Sequence, residues 1–196
     1  MAGGLNKSFL ANAKTFVQSH DLMVAPQPVG SRALTGGLTN IDLVMVDSSI
    51  VPNVVRLEDY ALRNNGIFSE AGVPAYYLPA VFNNTSTIAL GNGADTMFTP
   101  DLSGCLFAAY GPSNSNLTVE HVNVRSAAAV VPIAPRAAAI LASGNAYIFM
   151  ITPVPIGGAG TNVVSYATGG VVVGKRNQGG GWNFVYRVDG NAANLV

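Results

Sequence analysis

The second half of the chain is divided into short apolar or alternating runs, each bounded by Gly, Asn, Ser or Pro, and this pattern limits the possible folds most. Runs of this length and period are typical of β-strands. The five runs are GCLFAAYG, NLTVEHVNV, NAYIFMITP, GGVVVGKR and GWNFVYRVDG. The last two are joined by NQGGG, a connection typical of a β-hairpin. The second half is therefore predicted to be mostly β-structure.

Helical spacing is confined to short segments. Apolar residues at helical spacing predict one amphipathic helix over residues 5–19, and a second helix is predicted from about Val54 to Asn64, with Gly66 as its stop. A third short helix is predicted in PRAAAILAS. The stretch 40–49 is predicted to be a strand, AYYLPAVF and STIALGNG short extended pieces, and 23–37 a loop. The pattern favours one domain over residues 1–196, of mixed α/β (α+β) class.

Composition excludes several classes of protein. Charged residues make up only 10% of the 196 residues, the formal net charge is zero, and no basic run suited to nucleic acid or anionic membranes is present. A single cysteine rules out an internal disulfide. The first residues lack the apolar segment of a signal peptide, and the longest apolar tract is interrupted by Pro132, Pro135 and Arg136. We expect a monomer that binds neither membrane nor nucleic acid.

Two features suggest chemistry that their context does not support. Gly169, Gly174 and Lys175 resemble the start of a phosphate-binding loop, but Arg176 stands where Ser or Thr is required, and three valines favour a strand. His20 closes the first predicted helix, where an imidazole interacts favourably with the helix dipole. No Cys/His/Asp/Glu cluster has metal-ligand spacing. We therefore expect no metal and no organic cofactor.

The only cysteine, Cys105, and the second histidine, His121, lie on either side of the turn-forming segment GPSNSN. If the flanking runs form an antiparallel hairpin with Tyr110 opposite Leu117, Cys105 falls opposite Val122, beside His121. A register shifted by one residue places Cys105 directly opposite His121, within side-chain contact. Alternation puts Leu117, Val119, His121 and Asn123 on one face of the second run, and Thr118, Glu120, Val122 and Val124 on the other.

A cysteine beside a histidine can act as a nucleophile, because the imidazole accepts the thiol proton. A third group usually orients the imidazole, and the candidates near in sequence are Thr99, Asp101 and Asn123. Ser103 and Gly104, just before the cysteine, would let a substrate approach, and backbone N–H groups around Ser103 to Cys105 would hold an oxyanion. The alternative remains a buried, unreactive cysteine and a hydrogen-bonded strand histidine.

These residues carry a resemblance. The motif LSGC (Leu102, Ser103, Gly104, Cys105), with Thr99 six residues before the cysteine and His121 on the following strand, resembles the Cys–His–Thr glutamine deamidases. That group includes the lethal-factor-like toxins of Burkholderia, the catalytic domain of cytotoxic necrotising factor and the chemoreceptor deamidase CheD. The match covers about residues 99–121. The Cys-to-His spacing is longer than in the lethal factor, which indicates either a longer hairpin loop or kinship with another branch.

The resemblance implies a sandwich of two mixed β-sheets with helices outside. It implies a toxin-like virulence factor that hydrolyses a glutamine side-chain amide in a host protein. The DEAD-box translation-initiation helicase, which is the lethal factor's target, is a candidate for that protein. Synthesis would be in the bacterial cytoplasm and action in the host cytoplasm, with translation inhibited. Cys105 would be the nucleophile, His121 the base and Thr99 the orienting residue, with Leu102, Ser103 and Gly104 forming the motif around the oxyanion. The alternatives are a cysteine peptidase, a transglutaminase, or a non-catalytic β-rich binding module.

Overall fold

The structure is a computed structural model in which residues 3–23, 36–45, 54–59, 72–123, 133–156 and 162–196 are described. Two helices, α1 (Gly3–Ala11) and α2 (Ala13–Ser19), replace the single predicted amino-terminal helix. Asn12 lies between them in an extended conformation, and its side chain accepts a hydrogen bond from the Thr15 amide at 3.0 Å. An Asn N-cap satisfies an otherwise unpaired amide at a helix start, so the break is a second helix beginning.

The third helix and the strands follow in chain order. The helix α3 spans Ile133–Leu141, as PRAAAILAS predicted. The described strands are β1 (Asp21–Met23), β2 (Gly37–Met45), β3 (Val54–Asp59), β4 (Val73–Tyr77), β5 (Asn84–Leu90), β6 (Thr96–Phe98), β7 (Leu106–Ser113), β8 (Asn116–Asn123), β9 (Tyr147–Thr152), β10 (Val163–Ser165), β11 (Gly170–Arg176), β12 (Trp182–Val188) and β13 (Asn194–Leu195). All five runs predicted to be strands in the second half are strands.

The strands form two mixed sheets. An eight-stranded sheet has the order β1-β3-β2-β4-β6-β11-β12-β13, with β1–β3 and β4–β6 parallel. A five-stranded sheet has the order β10-β9-β7-β8-β5, with β10–β9 parallel. The GGVVVGKR segment is β11, hydrogen-bonded to β12 through the predicted hairpin, and not a phosphate loop.

Apolar side chains fill three layers around these sheets. Phe107, Leu117 and Phe149 of the five-stranded sheet pack with Trp182 and Phe184 of the eight-stranded sheet in the central layer. The helices α1 and α2 cover the other face of the eight-stranded sheet. The helix α3 covers the other face of the five-stranded sheet. The fold is therefore a sandwich of two mixed sheets with helices outside, which confirms the fold class.

One predicted helix is wrong. Val54–Asp59 is the strand β3, which pairs with β2 and with β1. Val54, Val55 and Leu57 are buried. Two adjacent β-branched residues fit a pleated sheet better than a helix, and pairing on both sides decides the outcome. The rest of that prediction, residues 60–66, lies outside the described residues, as do most of the predicted loop 23–37, residues 46–49 of the predicted strand, and Val124.

The hairpin β7–β8 forms, but its register differs from both predicted registers. Tyr110 pairs with Thr118 rather than Leu117, and the last ladder pair is Leu106 with Val122. The strands extend through the segment predicted as a loop, leaving a tight turn between Ser113 and Asn116 and a register shift after Tyr110. Cys105 therefore lies one residue before Leu106, outside the β7–β8 ladder.

Candidate active site

Three chain segments meet at one edge of the central layer. Thr99 follows β6 of the eight-stranded sheet, Cys105 immediately precedes β7, and His121 lies within β8 of the five-stranded sheet. All three side chains are buried, at 2%, 2% and 0% exposure. The three residues predicted to be catalytic therefore lie at the seam between the sheets.

The Thr99 hydroxyl fixes the tautomer of His121. Thr99 Oγ1 donates its only hydrogen to the Leu78 carbonyl at 2.9 Å, and it lies 2.7 Å from His121 Nδ1. A carbonyl can only accept, so the one arrangement in which both contacts are hydrogen bonds has the hydroxyl proton on the Leu78 side and a proton on Nδ1 that is donated to Oγ1. The imidazole is thereby held as the Nδ1–H tautomer. Its Nε2 has a free lone pair.

That Nε2 is an orphaned polar atom. It is buried and has no hydrogen-bond partner among the described residues. Burial also lowers the pKa of His121 from 6.5 to about 4, so the ring is neutral at physiological pH. An unpaired buried acceptor costs stability and calls for a functional explanation. A neutral imidazole with a free Nε2 is the form that accepts a proton.

Cys105 is held through its backbone by a tyrosine from a distant strand connection. The Tyr166 hydroxyl accepts from the Cys105 N–H and donates to the Cys105 carbonyl, both at 2.7 Å. The Cys105 thiol lies 3.8 Å from the Ser103 carbonyl and donates to it. Tyr166 thus replaces the backbone hydrogen bonds that Cys105 would make to a neighbouring strand. It thereby holds the Cys105 backbone, from which the thiol projects, in a fixed position.

The ladder relates Cys105 to His121 as diagonal neighbours. Phe107 pairs directly with His121, and Cys105 lies two residues before Phe107 on the same face of the sheet. Both Cys105 and Phe107 belong to the central layer. Diagonal neighbours are about 7 Å apart at the backbone, within reach of a long or ring-bearing side chain. The predicted meeting of the two residues is thus diagonal rather than directly opposed.

The LSGC motif shapes the chain before the cysteine. Leu102 is fully buried and exchanges two backbone hydrogen bonds with Gly170, at 2.7 and 3.0 Å. Gly104 has φ of 79°, a conformation that favours glycine, and a Cβ there would meet no atom within 4 Å. The space over Gly104 is therefore open to an approaching group.

The predicted oxyanion site needs one correction. The Cys105 amide donates to Tyr166, so it is committed and does not face an oxyanion in this structure. The Leu102 amide is likewise committed to Gly170. That the amides of Ser103 and Gly104 hold an oxyanion stays a prediction.

The other candidates for the orienting residue lie elsewhere. Asp101 is exposed and lines a cavity of about 550 Å³ together with Arg187 and Asp189. Asn123 is on the same face of β8 as His121, but Nδ1 is already engaged by Thr99. His20 follows α2 at its carboxyl end, as predicted. Its amide donates to the Phe16 carbonyl, and its ring stacks on Phe16.

Sequence reasoning missed two parts of the site. Tyr166 is 61 positions from Cys105, and nothing near it in sequence indicates the contact. The Leu78 carbonyl, which determines the tautomer, is a backbone atom with no sequence signal. Among the described residues no group of three or more His, Cys, Asp or Glu is placed to hold a metal ion. None of the described helices is long and apolar enough to cross a membrane.

Comparison with known proteins adds a distant likeness of fold. No protein-family model matches the chain, and no curated protein matches it. Among solved structures, the C-terminal domain of CNFy from Yersinia pseudotuberculosis is similar over 98% of this chain and 94% of that chain, at 8% identity and a TM-score of 0.46. A likeness this weak says nothing about the site, so its chemistry is argued from the geometry alone.

Proposed function

We propose that this protein is a protein-glutamine deamidase in which Cys105 is the nucleophile, His121 the general base and acid, and Thr99 the residue that orients the imidazole. The single observation that carries the proposal is the committed Thr99 hydroxyl. It places the proton of the neutral His121 ring on Nδ1, which leaves Nε2 without a proton on the face of the sheet that carries Cys105. A positioned base next to a thiol is the arrangement for nucleophilic acyl chemistry.

The first half of the reaction forms a thioester. The Cys105 sulfur bonds to the side-chain carbonyl carbon of glutamine while its proton moves to His121 Nε2. The negative charge that develops on the substrate stabilises the imidazolium, which burial alone disfavours. The imidazolium then gives its proton to the amide nitrogen, the C–N bond breaks, and ammonia leaves.

The second half restores the enzyme. Water gives a proton to Nε2 as its oxygen bonds to the thioester carbon, and the C–S bond breaks with return of that proton to the sulfur. The Ser103 and Gly104 amides stabilise the oxyanion in both halves. The product is glutamate, and no metal or organic cofactor enters a step.

The substrate is proposed to be a glutamine in a host protein, with the DEAD-box translation-initiation helicase as the first protein to examine. Loss of one amide removes two hydrogen-bond donors and adds a negative charge. A change of that kind can disable a site built around the glutamine. A toxin-like role in the host cytoplasm follows from this chemistry and from the LSGC resemblance.

A eukaryotic lysate prepared in water enriched in oxygen-18 tests the proposal. It is treated with the protein or with Cys105→Ser, and peptide masses are searched for glutamine converted to heavy-oxygen glutamate. We expect labelled glutamate only with the parent protein. Cleaved peptides would indicate a peptidase, and incorporation of an added primary amine would indicate a transglutaminase. Equal activity of Cys105→Ser would reject a catalytic cysteine.

A further inference from the structure

A second orphaned polar atom lies beside His121. The Asn123 side chain is 8% exposed, and its Oδ1 is buried without a hydrogen-bond partner in the described part of the chain. A buried acceptor left unpaired costs about 1–3 kcal/mol relative to a paired one. A group that only supported the fold would be expected to have its partner within the fold.

The strand pattern places this atom at the same site. Leu117 and Val119 face the central layer, and alternation along β8 turns His121 and Asn123 the same way. The last β7–β8 ladder pair is Leu106 with Val122. Continuing this pairing one step beyond its last pair sets Asn123 at the position opposite Cys105, which itself lies outside the ladder. Opposed residues have Cβ atoms about 5 Å apart.

The two orphaned atoms have complementary tasks. His121 Nε2 takes the thiol proton, which leaves Asn123 Oδ1 as an acceptor that the reaction so far does not use. A glutamine side chain offers two N–H donors next to the carbon under attack. Its product, a glutamate carboxylate, offers none and presents negative oxygen to the Asn123 oxygen.

We propose that Asn123 is a substrate-binding residue whose Oδ1 accepts an N–H from the primary carboxamide of the substrate. This inference rests on the proposed function and deepens it, because it assigns the selection of an amide over an acid or ester. The hydrogen bond from the substrate nitrogen to Asn123 Oδ1 forms in the substrate complex and persists while His121 protonates that nitrogen. It disappears when the nitrogen leaves as ammonia. The acceptor then faces the product carboxylate, which favours release.

The test uses the single cysteine as its own reporter. Cys105 is alkylated with iodoacetamide, which carries a primary carboxamide, and with methyl iodoacetate, which has no N–H. Intact mass gives both rates. The ratio of the two rates is divided by the same ratio for the chain unfolded in denaturant, which removes the difference in intrinsic reactivity. One hydrogen bond corresponds to a preference of about fivefold for iodoacetamide in the folded protein.

Four proteins are compared. Asn123→Leu has a similar volume and no acceptor, so the normalised preference should fall to about one. Asn123→Asp keeps an oxygen at the position and should keep the preference. Asn116→Leu, at the exposed other end of β8, should match the parent. An unchanged preference in Asn123→Leu, or a loss in Asn123→Asp as well, would overturn the assignment. Thermal melting confirms that each variant is folded, and if Asn123→Leu is not, Asn123→Ala replaces it.

The same experiment separates this inference from the proposed function. His121→Gln is alkylated in parallel. If its absolute rate equals that of the parent, His121 does not activate the thiol and the proposed chemistry fails. The ratio between the two reagents still reports on Asn123 in that case, because it does not depend on how fast Cys105 reacts.

Discussion

At the scale of single residues, the site depends on where one hydroxyl proton goes. Thr99 donates to the Leu78 carbonyl and therefore accepts from His121 Nδ1. The proline after Thr99 predicts an extended conformation and leaves open whether the hydroxyl or the carbonyl faces the imidazole. The structure selects the hydroxyl. Its chemical consequence, a free Nε2, follows from donor and acceptor counting alone.

Thr99→Val removes the hydroxyl with little change in shape. The Nδ1–H loses its acceptor, the other tautomer becomes competitive, and Nε2 no longer reliably accepts the thiol proton. We expect the rate of glutamine conversion to fall by about 100-fold or more, the usual contribution of a positioned acid–base group. Thr99→Ser should retain most activity. Thr152→Val, which removes another buried hydroxyl in β9, should lose stability without losing activity. Activity of Thr99→Val near the parent's would contradict the orienting role.

Tyr166→Phe removes the group that bonds both backbone polar atoms of Cys105. Leaving an N–H and a carbonyl unpaired should lower the free energy of unfolding by about 2 kcal/mol. Urea denaturation measures the change. Tyr147→Phe is the matched control, because the Tyr147 hydroxyl is buried without a partner among the described residues and its removal should cost little. Equal losses in the two variants would contradict a specific bond to Cys105.

At the scale of elements, an ion pair fastens α3 to the outer face of the five-stranded sheet. Arg136 donates from Nε to Glu120 Oε2 at 2.8 Å and from a second nitrogen to Oε1, and the Tyr110 hydroxyl donates to Oε1 at 2.5 Å. Glu120 is only 3% exposed, so these partners, rather than water, stabilise its negative charge. Glu120 and His121 are adjacent in β8 but face opposite sides. The pair therefore supports the strand without entering the site.

Arg136→Met leaves a buried carboxylate without its cation, which should lower the free energy of unfolding by about 3 kcal/mol. Adding Glu120→Gln should recover much of the loss, because the uncompensated charge is then gone. Arg176→Met is the control: it loses an ion pair to Asp95, which is mostly exposed and 3.9 Å away, and one hydrogen bond from Nε to the Gly180 carbonyl at 3.1 Å, so only about 1 kcal/mol is expected. Chemical denaturation gives all three values. A loss in Arg136→Met no larger than in the control would contradict the role of the pair.

The sequence predicts an element correctly when the residues that determine it are close together in the chain. The alternation of NLTVEHVNV and the glycines of NQGGG act over a few residues, and the corresponding strands are correctly predicted. The strand β3 was predicted as a helix because its pattern fits both, and pairing with β1 and β2 decides between them. The register of β7–β8 was wrong by at least one residue, because the tight turn after Ser113 could not be read from six turn-forming residues.

At the scale of the whole molecule, the site exists only where the two sheets pack together. Thr99 comes from one sheet and His121 from the other, and Tyr166 precedes β11. That Cys105 and His121 are neighbours could be predicted, because a single hairpin joins the chain segments on which they lie. The Tyr166 contact could not, because it depends on how distant strands assemble. The proposed chemistry is therefore coupled to the stability of the entire sandwich.

That coupling gives a pH dependence of stability. His121 has a pKa of about 4 when folded and 6.5 when exposed, so the unfolded chain binds this proton more readily. Its contribution is fully present above pH 6.5 and is lost as the pH falls towards 4. The loss amounts to about 3 kcal/mol in the free energy of unfolding. His121→Asn should lack this component between pH 6.5 and 4, whereas His20→Asn should retain it. Identical pH profiles for the two variants would contradict a buried neutral His121.

The tautomer of His121 is the claim on which the proposed reaction depends most directly. Nitrogen-15 NMR of protein labelled at histidine measures it directly, since protonated and unprotonated ring nitrogens resonate far apart, and His121→Asn assigns the two rings. We predict a neutral His121 at pH 7 with the proton on Nδ1 and none on Nε2, shifting to a mixture or to Nε2–H in Thr99→Val. A proton on Nε2 in the parent protein, or a doubly protonated ring at pH 7, would contradict the account.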